Sequence, residues 1–85
     1  MVITYHKNFI KRSKSLTSKA KEKLIQRLKL FDQDAYNSVF NNHSLKGKYL
    51  GYRSINITGD LRALYQKEGD SVTFVAIDSH SNLYG

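Results

Sequence analysis

Hydrophobic positions change period twice along this chain. Val2, Ile3 and Tyr5 open it with β-branched and aromatic residues, which predicts a short first strand over Val2 to Tyr5. From about His6 to Lys14 the pattern suits a first helix with Phe9 and Ile10 facing inward. Ala20, Leu24, Ile25, Leu28 and Phe31 then recur at helical spacing with lysines on the other face, so a second helix is predicted, capped by Thr17 or Ser18 and ended by Asp32-Gln33-Asp34. A polar connection runs to Asn42, with Tyr36, Val39 and Phe40 expected to tuck it onto the core.

From Tyr49 the period becomes two. Tyr49 to Ile57 reads as a strand with Arg53, Ile55 and Ile57 on one side and Tyr52, Ser54 and Asn56 on the other. Thr58-Gly59-Asp60 reverses the chain, Leu61 to Lys67 returns, Glu68-Gly69-Asp70 turns again, and Ser71 to Ile77 forms the last strand. The expected fold is α+β, a single domain over 1–85: a short first strand, then two helices packed on one face of an antiparallel sheet that ends in a three-stranded meander. The other face is left for function.

Composition narrows the chemistry. With 85 residues the chain is too short to enclose a large substrate cavity, which favours an open surface. Cysteine is absent, so disulfides and thiolate catalysis are excluded and a reducing cytoplasm fits. No apolar run approaches the ~20 residues of a membrane span, and no membrane association is expected. The 14 Lys and Arg residues outnumber 7 Asp and Glu for a net charge of +7, and nine of the cations lie between Met1 and Leu30 against one acid, Glu22. Such a surface attracts polyanions or an acidic protein, although a solvated helix face would carry the same charge.

Against that background His43, Asp60, Arg62, His80 and Tyr84 supply what metal-free RNA cleavage needs. Two imidazoles can exchange protons near neutral pH, a carboxylate can orient one, a guanidinium can neutralise a phosphate, and an aromatic ring can hold a base. Asp60 also sits where a Gly-Asp turn favours it for local reasons, and Tyr84 equally suits C-terminal docking. Lys46, Lys48 and Arg53 flank the set and suit phosphate binding, with simple solvation as the alternative. His6 has no matching role and is assigned to structure. A metal triad of His43, Asp60 and His80 is conceivable, but no spacing demands it, and no cofactor motif is present.

These residues also carry a resemblance. His43-Ser44-Leu45-Lys46-Gly47-Lys48 followed by Gly51-Tyr52-Arg53, and the closing Asp78-Ser79-His80-Ser81-Asn82-Leu83-Tyr84-Gly85, resemble the histidine segments of the YafQ-like branch of the RelE-type toxin superfamily. Gly59-Asp60-Leu61-Arg62-Ala63-Leu64-Tyr65 is similar to the wider superfamily, whose third strand often presents an arginine. Asn56 stands where YafQ-like proteins often carry a further histidine, and an amide cannot shuttle protons. The resemblance implies a RelE-like fold and a toxin of a type II toxin-antitoxin system that cleaves mRNA, threaded through a ribosome. His43 would be base, His80 acid, and Asn56 and Tyr84 substrate contacts. It also implies an antitoxin partner. The competing expectation is a non-catalytic toxin of the same fold that binds a protein such as gyrase; a plain RNA-binding module ranks third.

Overall fold

The computed structural model describes residues 1–85. β1 (Val2–Tyr5), α1 (Lys7–Lys14) and α2 (Ser18–Gln33) are followed by a loop, β2 (His43–Ser44), β3 (Arg53–Asn56), β4 (Leu61–Glu68), β5 (Ser71–Ser79) and α3 (His80–Tyr84). Side chains start both long helices. The His6 imidazole Nδ1 accepts the Asn8 amide at 3.1 Å, and the Thr17 hydroxyl accepts that of Ala20 at 3.2 Å, each satisfying a donor that the helix leaves free. No helix is long and apolar enough to cross a membrane.

The five strands are ordered β1-β5-β4-β3-β2. The β3-β4-β5 meander is antiparallel as expected, but β1 pairs parallel to β5, so the sheet is mixed. Three further differences have local causes. The expected strand from Tyr49 begins only at Arg53, because Gly47 and Gly51 take positive φ and Gly47–Tyr49 closes into a 3-10 turn. His43 and Ser44 form an additional short strand against Ser54 and Arg53. The last strand runs on to Ser79, where the Ser79 hydroxyl caps α3 by accepting the Asn82 amide at 3.2 Å.

The main core lies between the helices and the sheet. Phe31 of α2 meets Phe40, Tyr65 and Phe74 edge-on at 5.9, 5.1 and 5.2 Å, and Phe9 of α1 contacts Phe74 at 5.5 Å. Ile55, Ile57, Leu61, Ala63, Val72 and Ile77 complete this layer from the sheet. Ile10 and Ile25, expected inside, are exposed, as are Tyr36 and Val39 of the loop; Phe40 alone of that loop trio is buried.

A bulge in β5 sets the faces of its upper half. Leu64 pairs with Ala76 and Tyr65 with Phe74, so Val75 is the extra residue. Phe74 and Ile77 therefore both enter the helix-side core, while Val75 and Ala76 turn to the far side. That far side is not bare. Leu45, Leu64 and Leu83 form a second apolar cluster there, flanked by Tyr49 and Tyr52, so α3 and the segment before β3 cover part of it.

Replacing Phe74 with Ala should cost about 3–5 kcal/mol, the range for large aromatic deletions in packed cores, read as a lower denaturant midpoint with an unchanged slope. Ser54 behaves oppositely. Its hydroxyl is buried without a hydrogen-bond partner, so Ser54→Ala should be neutral or stabilise by up to about 1 kcal/mol; a clear loss of stability would show that the hydroxyl is satisfied in solution.

Candidate functional site

Strand register determines which of the predicted residues share a face. Directly paired residues project to the same side of an antiparallel sheet. One row runs His43, Ser54, Leu64, Ala76 across β2 to β5, and the next runs Asn56, Arg62, Asp78 across β3 to β5. Leu64 belongs to the far-side cluster, so both rows lie on the face opposite α1 and α2. From strand spacing and rise, His43 and Arg62 stand about 12 Å apart at the backbone. α3 lies on this same face through Leu83 and brings His80 and Tyr84 with it.

His43 is exposed, and its Nδ1 lies 2.7 Å from the carbonyl oxygen of Asn41, which takes the left-handed conformation with φ 45°. A carbonyl can only accept, so Nδ1 carries the proton. In the neutral ring Nε2 is then a free acceptor, the state a general base requires.

Arg62 forms no ion pair. Its Nη1 donates to the carbonyls of Thr58 and Leu61 at 3.0 and 3.2 Å, and its Nη2 to that of Gly59 at 3.1 Å. These bonds tie the guanidinium over the β3-β4 turn with Nε–H and one Nη2 hydrogen uncommitted, and its charge meets no carboxylate. Beside it in register, Asn56 carries a buried Oδ1 without a partner.

His80 begins α3. Its backbone amide donates to the Asp60 carbonyl at 2.9 Å, which docks the helix start against the turn. The Asp60 carboxylate bonds to neither imidazole nor to the turn, which holds this residue through its backbone. The His80 ring packs on Tyr84 at 4.9 Å, Tyr84 meets Tyr49 edge-on at 5.8 Å, and the Lys48 ammonium stands 5.1 Å from the Tyr49 ring centre. The Tyr49 hydroxyl donates to the Leu83 carbonyl at 3.0 Å and fixes this aromatic line to α3.

Two predicted residues lie apart. Arg53 pairs with Tyr65 on the helix side; its Nε donates to Asn42 Oδ1 at 2.9 Å and its guanidinium faces the Tyr36 ring, so it clips the loop and is not at this site. Lys46 is exposed next to the site segment and contacts none of the others. No three His, Asp or Glu side chains gather closely enough to hold a metal ion.

Asp78 was not singled out from the sequence, yet it is the most strongly tied carboxylate. Its Oδ1 accepts from Arg12 at 3.1 Å, Asn82 at 3.0 Å and the Ser79 amide at 2.8 Å. The Arg12 guanidinium first, then the two amides, hold its pKa down to about 2. The available signal was local: an acid immediately before a Ser that can cap, with Asn three residues beyond.

The sequence pattern of the family described as YafQ, bacterial toxin of a type II toxin-antitoxin system, matches residues 1–85. No curated protein matches the chain. Among solved structures, YafQ from E. coli strain BL21(DE3) superposes with a TM-score of 0.82 at 23% identity, covering 98% of this chain and 97% of that one. YafQ in the E. coli DinJ-YafQ toxin-antitoxin complex gives 0.78 at 24%, with 98% and 96% covered. The YoeB/ParE toxin from Agrobacterium tumefaciens gives 0.75 at 18%, with 94% and 99% covered. These structures share the fold, and with the family pattern running from the first residue to the last, the chain belongs to the YafQ family of type II toxin-antitoxin toxins.

Proposed function

We propose that this toxin is an endoribonuclease that cleaves mRNA on the translating ribosome by proton transfer without a metal. The observation that carries the reading is the His43 lock: a carbonyl fixes Nδ1–H and frees Nε2 on the sheet face that also presents Arg62 and α3. Nε2 of His43 takes the proton of a ribose 2′-hydroxyl. The oxygen attacks the adjacent phosphorus in line, the bond to the 5′-oxygen breaks, and protonated His80 gives that oxygen its proton. The products are a 2′,3′-cyclic phosphate and a 5′-hydroxyl. The uncommitted N–H groups of Arg62 face the charge that develops on the phosphoryl oxygens. Asn56, beside Arg62 in register, is the substrate contact on this face, and Tyr84 with Tyr49 and Lys48 offers a surface for a base and the next phosphate.

The charge distribution supports two further partners. Most cations of α1 and α2 are exposed on the side away from this site, so they are free to contact ribosomal phosphates while mRNA occupies the opposite face. The relatives include YafQ bound to DinJ, and a cognate antitoxin is the expected partner here. Exposed Ile10, Ile25 and Tyr5 between basic α1 and α2 suit an acidic amphipathic segment of such a protein. Action on ribosomes places the toxin in the cytoplasm.

His80→Ala and Arg62→Ala should each relieve growth arrest and slow cleavage by about 10²–10³ with the protein still folded; Arg62→Ala should also loosen the β3-β4 turn. Full toxicity of both at matched expression would instead indicate a toxin that acts by binding a protein. The rate of cleavage should follow a bell-shaped pH profile and persist in EDTA. Replacing the 2′-hydroxyl at the cut site by hydrogen should stop cleavage and spare binding. A deoxy site that is still cut would show that water, not the ribose, is the nucleophile.

A further inference from the structure

The side-chain hydrogen bonds at the start of α3 centre on Asp78 and Ser79, beside the backbone bond from His80 to Asp60. The Asp78 carboxylate gathers three donors on a single oxygen: Nη2 of Arg12 from α1, Nδ2 of Asn82 from α3, and the amide of Ser79. Arg12 is itself braced, since its Nη1 donates to the Ser15 hydroxyl at 2.8 Å and that hydroxyl donates to the Arg12 carbonyl at 2.8 Å. Between Asp78 and His80, the Ser79 hydroxyl accepts the Asn82 amide and caps α3. A helix of five residues is too short to persist on its own backbone bonds; Leu83 and the Tyr49 hydroxyl hold its end, while the Asp78 and Ser79 side chains tie its first turn, from which His80 projects.

We infer that Asp78 is a positioning residue of the cleavage reaction: its carboxylate fixes the first turn of α3, and thereby the His80 imidazole, while Arg12 anchors that carboxylate to α1. The inference rests on the reading of His80 as general acid. Asp78 stays ionised far below neutral pH, so the clamp is closed across the range in which imidazoles titrate.

The test uses the full chain with Asp78→Ala, Asp78→Asn and Arg12→Ala, read by cleavage of mRNA on purified translating ribosomes, by thermal stability and by the NMR signals of the His80 ring. The packing of His80 on Tyr84 at 4.9 Å makes those signals sensitive to ring current. Asp78→Ala should lower kcat by on the order of 10² through misplacement of the acid with KM nearly unchanged, and should move the His80 signals toward those of an unstructured peptide. Asp78→Asn keeps an acceptor for Asn82 and Ser79 and should recover most of the activity; Arg12→Ala should fall between. Wild-type kcat and unmoved His80 signals in Asp78→Ala would overturn the inference. Should that variant unfold, Asp78→Asn and Arg12→Ala decide: unmoved His80 signals in Arg12→Ala together with unchanged kcat would overturn it equally. Failure of the wild-type toxin to cleave RNA would refute the nuclease reading alone, because the His80 signals still report whether Asp78 positions the ring.

Discussion

Phe74 is the residue on which the other elements converge. Fully buried in β5, it contacts the rings of Tyr5 from β1, Phe9 from α1, Phe31 from α2 and Tyr65 from β4. A domain of this size has little surplus stability, and one aromatic contact set that joins two helices to three strands concentrates much of it at one point. The parallel pairing of β1 with β5 depends on the same residue, because Tyr5 lies opposite Phe74 in register and the chain leaves the sheet immediately afterwards for α1.

The bulge next to Phe74 connects this core to the chemistry. With strict alternation, Ile77 would face away from the helices and Asp78 toward them. The extra residue Val75 reverses that phase, so Ile77 fills the core and Asp78 joins the row of Asn56 and Arg62. The helix that carries His80 then leaves from the site side and closes over Leu64 through Leu83. A single inserted position thus sends Ile77 to one apolar cluster and Ala76 to the other, on the face of the candidate site. Bulges beside active sites commonly re-aim side chains in this way.

Charge is divided between the two faces. Arg53 and Asn42 spend their hydrogen bonds on holding the loop to the buried Tyr65 hydroxyl, with Asn42 Oδ1 accepting from both Arg53 and Tyr65. Burial raises the Tyr65 pKa, and the bond to Asn42 partly opposes that rise. On the opposite face, Arg62 is restrained only by carbonyls, and Asp78 is met by Arg12 reaching across from α1. Arg62 is therefore a cation on the site face whose charge is not met by an acid, which is a property a phosphate site requires.

Much of this was legible in the residues. Two helices, the meander and its turns follow from local periodicity, capping and turn chemistry, which depend on neighbours within a few positions, while the segments around His43, Arg62 and His80 were readable from their residue types and their resemblance to YafQ-like toxins. Three matters were settled only by tertiary contacts. The partner of β1 lies about 70 residues away and its direction cannot be read from the four residues of the strand. Ile10 and Ile25 match helical spacing yet stay exposed, since which hydrophobic stripe is buried depends on where the sheet lies. Arg53 and Arg62 look alike in an alternating strand pattern, but pairing puts one on the loop side and the other on the site face. Asp78 is the sharpest case. Its role comes from Arg12, 66 positions earlier, and from a bulge that shifts its face. Both are products of how distant segments pack, so the amino-acid order alone determined the site's chemical repertoire while packing decided its membership.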